Sequence, residues 1–144
     1  MLVGLPGSGK STWAESQGIT VLSSDGIREL LVDDVTNQQI HGEVFGTMRY
    51  LLRRRLALGA VATIIDATNL VPAHRKPWIA LARSFGAAAE AVYFDTPLEE
   101  CLRRNGARRR VVPEEAIARM ASKFRPPTAA EGFVQVQLIP FLPS

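Results

Sequence analysis

Two rhythms of apolar residues alternate along this chain. Short unbroken or alternating runs mark strands, and apolar positions at three- and four-residue steps mark helices. Met1-Leu2-Val3 is the first short run, and Ser11 to Glu15 reads as the start of a helix. Ile19 to Leu22 is a β-branched strand ending at Ser23-Ser24-Asp25, followed by a short helix over Gly26 to Leu31. Asp33, Asp34, Thr36 and Asn37 form a polar turn, and the next helix is expected to start near a capping Asn37. Its stripe is Ile40, Val44, Phe45, Met48, Leu51, Leu52 and Leu56, which reads as core, and Gly59 stops it.

Val61 to Ile65 is continuously apolar, as a buried parallel strand requires, and ends in Asp66-Ala67-Thr68-Asn69. Pro72 opens a helix carrying Trp78, Ile79 and Leu81 to Gly86. Ala88 to Phe94 is another strand, and Thr96 is the expected cap of a helix with Pro97 at its first position. A helix over Pro113 to Phe124 and a strand over Phe133 to Ile139 complete the pattern. Strands alternating with helices through short connections predict an α/β fold, with helices on both faces of a parallel sheet of five strands. Such sheets bind ligands beyond the carboxyl ends of their strands. Three polar strand ends should therefore meet in one crevice: residues 4–11, Ser24-Asp25, and Asp66 to Asn69.

A chain of 144 residues is expected to be a single domain spanning 1–144. Hydrophobic content of 47% with 22% charged residues fits an ordinary globular protein. The formal charge of +3 points weakly to an anionic partner. Cys101 stands alone, which excludes an internal disulfide and leads us to expect a cytoplasmic setting; its Leu98 and Leu102 neighbours suggest a buried helical thiol. No segment has the length and apolarity of a membrane span, and no signal peptide precedes the first strand. One cysteine with His41 and His74 offers no zinc pattern, both histidines read as structural or surface residues, and no G-x-S-x-G elbow suggests a serine hydrolase.

The chemistry is concentrated in Gly4-Leu5-Pro6-Gly7-Ser8-Gly9-Lys10-Ser11, which matches GxxxxGK[ST] at every fixed position. Glycines admit backbone conformations closed to other residues and let N–H groups converge on phosphate oxygens at the start of a helix. Gly4, Pro6, Gly7, Ser8, Gly9, Lys10, Ser11 and Thr12 are the expected nucleotide-binding residues. Lys10 can reach the β- and γ-phosphates, and Ser11 can ligate Mg²⁺. Only three residues precede Gly4, fewer than the usual strand, as expected either if residues are missing from the start or if the chain is one module of a longer protein.

Asp25 ends the second strand beside the expected γ-phosphate, where a carboxylate can accept the proton of an attacking hydroxyl. Arg28 follows three residues later on the same helical face and can hold a phosphate of the acceptor. Asp66 ends an apolar strand; water-mediated contact with Mg²⁺ and a loop-organising role through Thr68 and Asn69 both remain open. Arg75, on the helix after that loop, is an expected acceptor contact. Arg103, Arg104, Arg108, Arg109 and Arg110 repel one another unless an anion compensates them, and phosphoryl transfer supplies one. Arg104 and Arg108 lie four apart, so one helical turn would bring both to the same site. The remaining arginines suit a solvated face or a polyanion.

Taken together, GLPGSGKST at 4–12, SSDGIR at 23–28, DATN at 66–69 with Arg75-Lys76-Pro77, and FDTPLEECLRRNGARRR at 94–110 resemble the polynucleotide 5′-kinase family of phosphate-binding-loop (P-loop) kinases. The likeness is greatest to the kinase modules of bacterial RNA-repair polynucleotide kinase-phosphatases and runs from residue 2 to about 139. The resemblance implies ATP and Mg²⁺ as donor and cofactor, and a nucleic-acid 5′-OH end as acceptor. It implies Lys10 and Ser11 at ATP and Mg²⁺, Asp25 as general base, and Arg28 on the acceptor's 3′-side phosphate. Arg104 and Arg108 would belong to a mobile lid, at about 103–113, over the ATP phosphates, and act in catalysis. Two other readings stay open: a small-molecule kinase on the same scaffold, and a nucleotide-binding module without turnover. The residues do not reveal an adenine clamp, the choice between RNA and DNA, or the oligomeric state.

Overall fold

In the computed structural model, which describes residues 1–143, five strands all run parallel. They are β1 (Leu2–Val3), β2 (Val21–Ser23), β3 (Ile64–Asp66), β4 (Glu90–Asp95) and β5 (Gln135–Pro140). The six helices are α1 (Lys10–Glu15), α2 (Ser24–Val32), α3 (His41–Ala57), α4 (Pro72–Ser84), α5 (Leu98–Asn105) and α6 (Glu114–Lys123), with a 3-10 turn at Ala129–Glu131. The expected α/β architecture with parallel strands and flanking helices is borne out.

The strands do not form one continuous ladder. β1, β4 and β5 pair in one sheet, with Leu2 beside Val92 and Glu90 beside Gln135. β2 and β3 pair separately, with Val21 beside Ile64. β3 lies next to β1, but the seam is sewn past the strand ends. Gly4 N–H donates to Thr68 O at 3.0 Å, and buried Asn69 donates from Nδ2 to Leu2 O at 2.8 Å. Asn69 does this at φ 49°, a left-handed conformation that asparagine tolerates better than most residues.

Alternate residues of each strand bury on opposite faces, as the pleat requires. Leu2, Ile64, Val92 and Phe94 pack with Ala14 and Trp13 of α1. Leu22 and Ile65 face the other way, with Ile27 of α2, Val44, Met48 and Leu52 of α3, and Trp78 and Leu81 of α4. Val44, Met48 and Leu52 are the inner edge of the apolar stripe read in the sequence. Fully burying such side chains contributes about 1.5–3 kcal/mol each. Cys101 is buried in α5, as expected.

Several boundaries differ from the sequence reading. The third strand begins at Ile64, because Val61 is fully solvent-exposed and Arg55 ties down the preceding loop through Ala62 O and Thr63 Oγ1. Asn37 does not cap α3. It accepts from the N–H of Gln39 in a local turn, and the helix starts four residues later at His41. Thr96 does not cap α5 either; its hydroxyl donates to Ser8 O at 2.9 Å.

Candidate active site

All five strands point their carboxyl ends at the same edge, and the glycine-rich loop leaves β1 there. Gly7 and Gly9 have φ of 81° and 100°, in the left-handed region that favours glycine. A Cβ on Gly7 would stand 2.6 Å from Cys101 O, so α5 packs directly on the loop's backbone. Thr68 O fixes the loop's start and the Thr96 hydroxyl fixes Ser8, tying it to both neighbouring strands. Gly4 belongs to this anchoring and does not line the cavity: a Cβ there would meet Ser8 Oγ at 2.7 Å and Phe94 Cβ at 3.2 Å.

Lys10 is buried inside the loop. Its ammonium donates to Gly4 O (2.9 Å), Leu5 O (2.8 Å) and Ser8 Oγ (3.4 Å). Burial pulls its pKa down to about 8, against the opposing pull of Asp66. Gly9 is the N-cap of α1 and offers no side-chain acceptor to the helix's first N–H groups. Ser11 Oγ donates to Asp66 Oδ2 at 2.7 Å. Among the described residues no three His, Cys, Asp or Glu side chains gather at a metal site. A hydroxyl beside a carboxylate is nonetheless an oxygen donor pair suited to Mg²⁺, which ordinarily takes one or two protein ligands and completes its shell with phosphates and water.

The second strand end carries Asp25. Ser23 caps α2 by accepting from Gly26 N–H, which places Asp25 in the first turn and Arg28 on the next. Asp25 receives three arginines: Arg28 Nη1 at 3.2 Å and Arg110 on Oδ1, and Arg108 Nη2 at 3.5 Å on Oδ2. Arg28 is only 2% exposed, and its Nε has no hydrogen-bond partner. Arg108 Nη1 is likewise buried and unpartnered. Burial, followed by the nearby charge of Arg110, lowers the Arg28 pKa. Two orphaned guanidinium N–H groups beside one carboxylate form a site short of an anion.

The arginine-rich segment reaches across to α2 by a route that helical spacing did not show. α5 ends at Asn105, so Arg104 lies on the helix and Arg108 on the turn beyond it. Both still line the main cavity. Arg104 is held by Glu100 at 2.7 Å, and its guanidinium lies near Gly9. Arg109 grips Glu29 of α2 with both Nη atoms, while Arg103 is mostly exposed and paired with Glu100. Asn105 closes the segment's base by exchanging hydrogen bonds with the backbone of Val112.

Arg75 is not at the crevice surface. It is 0% exposed and donates to Glu131 (2.8 and 3.1 Å), Asn69 O (2.8 Å) and Arg125 O (2.9 Å). This corrects the expectation of an acceptor contact: its hydrogen bonds are spent joining α4 to the loop after β3 and to the 3-10 turn. Burial acts to raise the pKa of Glu131, but hydrogen bonds from Arg75 and Thr128 N–H prevail and lower it.

Two hollows meet at Lys10, Ser11 and Asp25. The larger, about 890 Å³, is lined by Gly7 to Trp13 and by Arg104, Arg108, Arg109 and Arg110, and extends to residues 139–142 at the end of β5. At that end the Arg104 guanidinium lies 5.7 Å from the Phe141 ring centre. The smaller, about 150 Å³, is lined by Pro6, Asp25, Arg28, Thr68, Arg110 and three α3-side residues, Gln38, His41 and Phe45. The His41 and Phe45 rings pack at a 35° tilt with centres 4.5 Å apart, and burial, then Arg28, lowers the His41 pKa. The histidine read as structural or surface from the sequence thus lines the hollow, and Phe141 and Glu29 were missed. Only Phe141 had a signal: it lies just beyond a strand's carboxyl end.

A family model described as an AAA domain matches residues 1–127. The chain belongs to this family. The expected kinship of this AAA-domain chain with polynucleotide 5′-kinases is also borne out. It is 30% identical over 151 residues to a bifunctional polynucleotide phosphatase/kinase of Schizosaccharomyces pombe, covering 98% of this chain and 33% of that protein. It therefore spans about a third of that relative's length. Among solved structures, a chain of the Pnkp1/Rnl/Hen1 RNA repair complex superposes with a TM-score of 0.70 at 24% identity, covering 85% of this chain and 42% of that one. A gluconokinase from Sinorhizobium meliloti superposes with a TM-score of 0.60 at 17% identity, covering 96% and 79%. These two likenesses establish the fold alone. Family, kinship and phosphate-binding loop together support a phosphotransferase. No helix among the described residues is long and apolar enough to cross a membrane.

Proposed function

We propose that the chain is the kinase that moves the γ-phosphoryl group of ATP to the 5′-hydroxyl end of a nucleic acid, with Mg²⁺ as cofactor. One observation carries the reading: Asp25, at the junction of the two hollows, is paired with Arg28, which lines the smaller hollow and whose buried Nε has no hydrogen-bond partner. A base and an anion holder side by side suit an acceptor whose hydroxyl lies near its own phosphate, as a polynucleotide 5′ end does.

The residues divide the work. The loop at 4–12 cradles the donor phosphates, and Lys10 turns its ammonium from loop carbonyls to phosphate oxygens. The Arg104–Phe141 pair holds the donor's base. Ser11 and Asp66 are the groups that would hold Mg²⁺, which supplies charge neutralisation on the phosphates when bound. The acceptor oxygen attacks the γ-phosphorus, the bond to the β,γ-bridging oxygen breaks, and the acceptor's proton passes to the Asp25 carboxylate. Arg108 and Arg110 occupy that carboxylate now. They leave it for the transferring phosphoryl group, where positive charge stabilises the transition state.

A second reading, a kinase for a small phosphorylated alcohol, draws on the 150 Å³ size of the acceptor hollow, which holds little more than one sugar and its phosphate. Competition separates the two. With γ-labelled ATP, a 5′-OH oligonucleotide should be labelled in preference to any small alcohol. Labelling of sugars or other unphosphorylated alcohols alone would reject both.

A further inference from the structure

The charge of this chain is segregated in a way that its small net value hides. Residues 44–89 hold seven of its seventeen Lys and Arg residues and only one of its fourteen Asp and Glu residues, Asp66, which is buried against Ser11. α4 contains no carboxylate at all. On α3 the residues at successive four-residue steps are His41, Phe45, Arg49 and Arg53. Four residues advance about 6 Å and turn about 40° around a helix, so these side chains form one oblique ridge that winds about a third of the way round it. The ridge starts inside the acceptor hollow, which His41 and Phe45 line, and runs out of it to Arg49 and Arg53, which are exposed.

Neither arginine has a carboxylate partner among the described residues, whereas every lid arginine from 103 to 110 has one. Arg55, on the same helix, is tied to the loop before β3. Arg49 bends back over Gly46, toward the hollow: a Cβ on Gly46 would lie 3.9 Å from its Nη2. Gly42 and Gly46 leave the flank beside the ridge bare, with open space around Gly42. A mid-helix glycine costs about 1 kcal/mol relative to alanine, so this bare flank is not explained by helix stability.

We infer that Arg49 and Arg53 carry the phosphates of the acceptor strand 3′ to the reacting nucleotide, leading a single-stranded 5′-OH polynucleotide out of the Asp25–Arg28 hollow along α3. The inference rests on the proposed function and extends it. The hollow itself holds only the terminal unit, and the ridge supplies a cationic contact at each nucleotide-scale step beyond it. Ion pairing with phosphates, without base contacts, makes this binding indifferent to sequence and sensitive to salt.

The test compares wild type with the double variant Arg49→Gln/Arg53→Gln on two acceptors. One is a 3′-phosphorylated nucleoside, and the other is a 5′-OH single strand long enough to reach Arg53. The KM for the strand should rise about tenfold, and its log–log dependence on salt should flatten by about 1.4, from two lost single-strand phosphate contacts. The KM for the nucleoside and kcat on both acceptors should not change. Arg49→Lys/Arg53→Lys, which keeps the charge, should restore most of the strand's affinity. An unchanged strand KM and salt slope in the glutamine variant overturns the inference alone. So does arginine-dependent binding to anionic phospholipid vesicles with strand kinetics unaltered, which assigns the ridge to a membrane. A wild type that labels the nucleoside but no strand overturns the polynucleotide reading and the inference with it.

Discussion

Asp25→Asn should separate binding from chemistry. The substitution keeps the size and hydrogen-bonding shape of the side chain and removes its charge and its use as a base. Losing a general base costs about 10²–10⁴-fold in rate, so kcat should fall by that factor. The same carboxylate also neutralises Arg28, Arg108 and Arg110. Removing one partner of a fully buried pair costs about 3–5 kcal/mol. Here Asp25 is about a third exposed, and the side chains of Arg108 and Arg110 are 28% and 20% exposed. Solvent screening reduces the loss to about 1–2 kcal/mol. Trypsin should therefore cut the freed 108–110 segment faster, with the melting temperature lowered by only a few degrees. ATP affinity should stay near wild type or tighten, because Arg108 and Arg110 no longer have a competing carboxylate. Single-turnover transfer from labelled ATP, equilibrium ATP binding and timed proteolysis measure the three effects. A kcat within a few-fold of wild type would refute the assignment of Asp25 as the base. Loss of ATP binding in step with kcat would refute the separation of donor and acceptor roles.

Because burial lowers the Lys10 pKa to about 8, kcat/KM for ATP should fall as pH rises through about 8, while kcat holds to higher pH once phosphates stabilise the ammonium; a flat profile to pH 10 contradicts this. The same shift means that, between about 8 and 10.5, the unfolded chain binds more protons at this site, so the lysine's contribution to stability rises with pH in that window. Gly7→Ala forces a left-handed backbone and a 2.6 Å approach to Cys101 O, and should cost about 1–3 kcal/mol in thermal or denaturant melting while abolishing ATP binding. Phe141→Ala should raise KM for ATP several-fold and leave KM for the acceptor unchanged, read from initial rates. Arg75→Met should cost about 3–5 kcal/mol in denaturant melting, yet leave acceptor KM near wild type when assayed well below the melting point.

The alternating rhythm of strands and helices was legible because core packing follows period: Val44, Met48 and Leu52 are buried where three- and four-residue spacing put them. The loop at 4–11 and the Asp25–Arg28 pair were legible because their geometry is local to a strand end and one helical turn. Arg75 was misread because its surroundings are assembled from Asn69, Arg125 and Glu131, none of which is near it on a helix. Arg108 reached the expected cavity for a different reason from the one inferred: the helix had already ended, and long-range pairing with Asp25 brought it in. His41 and Phe141 had no motif to announce them; each joins the site because a neighbouring element ends there. The third strand was placed early because Val61, Ala62 and β-branched Thr63 continue into Ile64 and Ile65 as a strand would, while a side chain from α3 holds that segment as a loop.

The reaction proposed for this P-loop site is phosphoryl transfer to a nucleic-acid 5′ end. Its most direct test is end-labelling: γ-labelled ATP with Mg²⁺, incubated with matched oligonucleotides carrying a 5′-hydroxyl or a 5′-phosphate, alongside a panel of small alcohols. Label should appear on the 5′-hydroxyl strand only and be lost in Asp25→Asn. Label on an unphosphorylated small alcohol with none on the strand would contradict it.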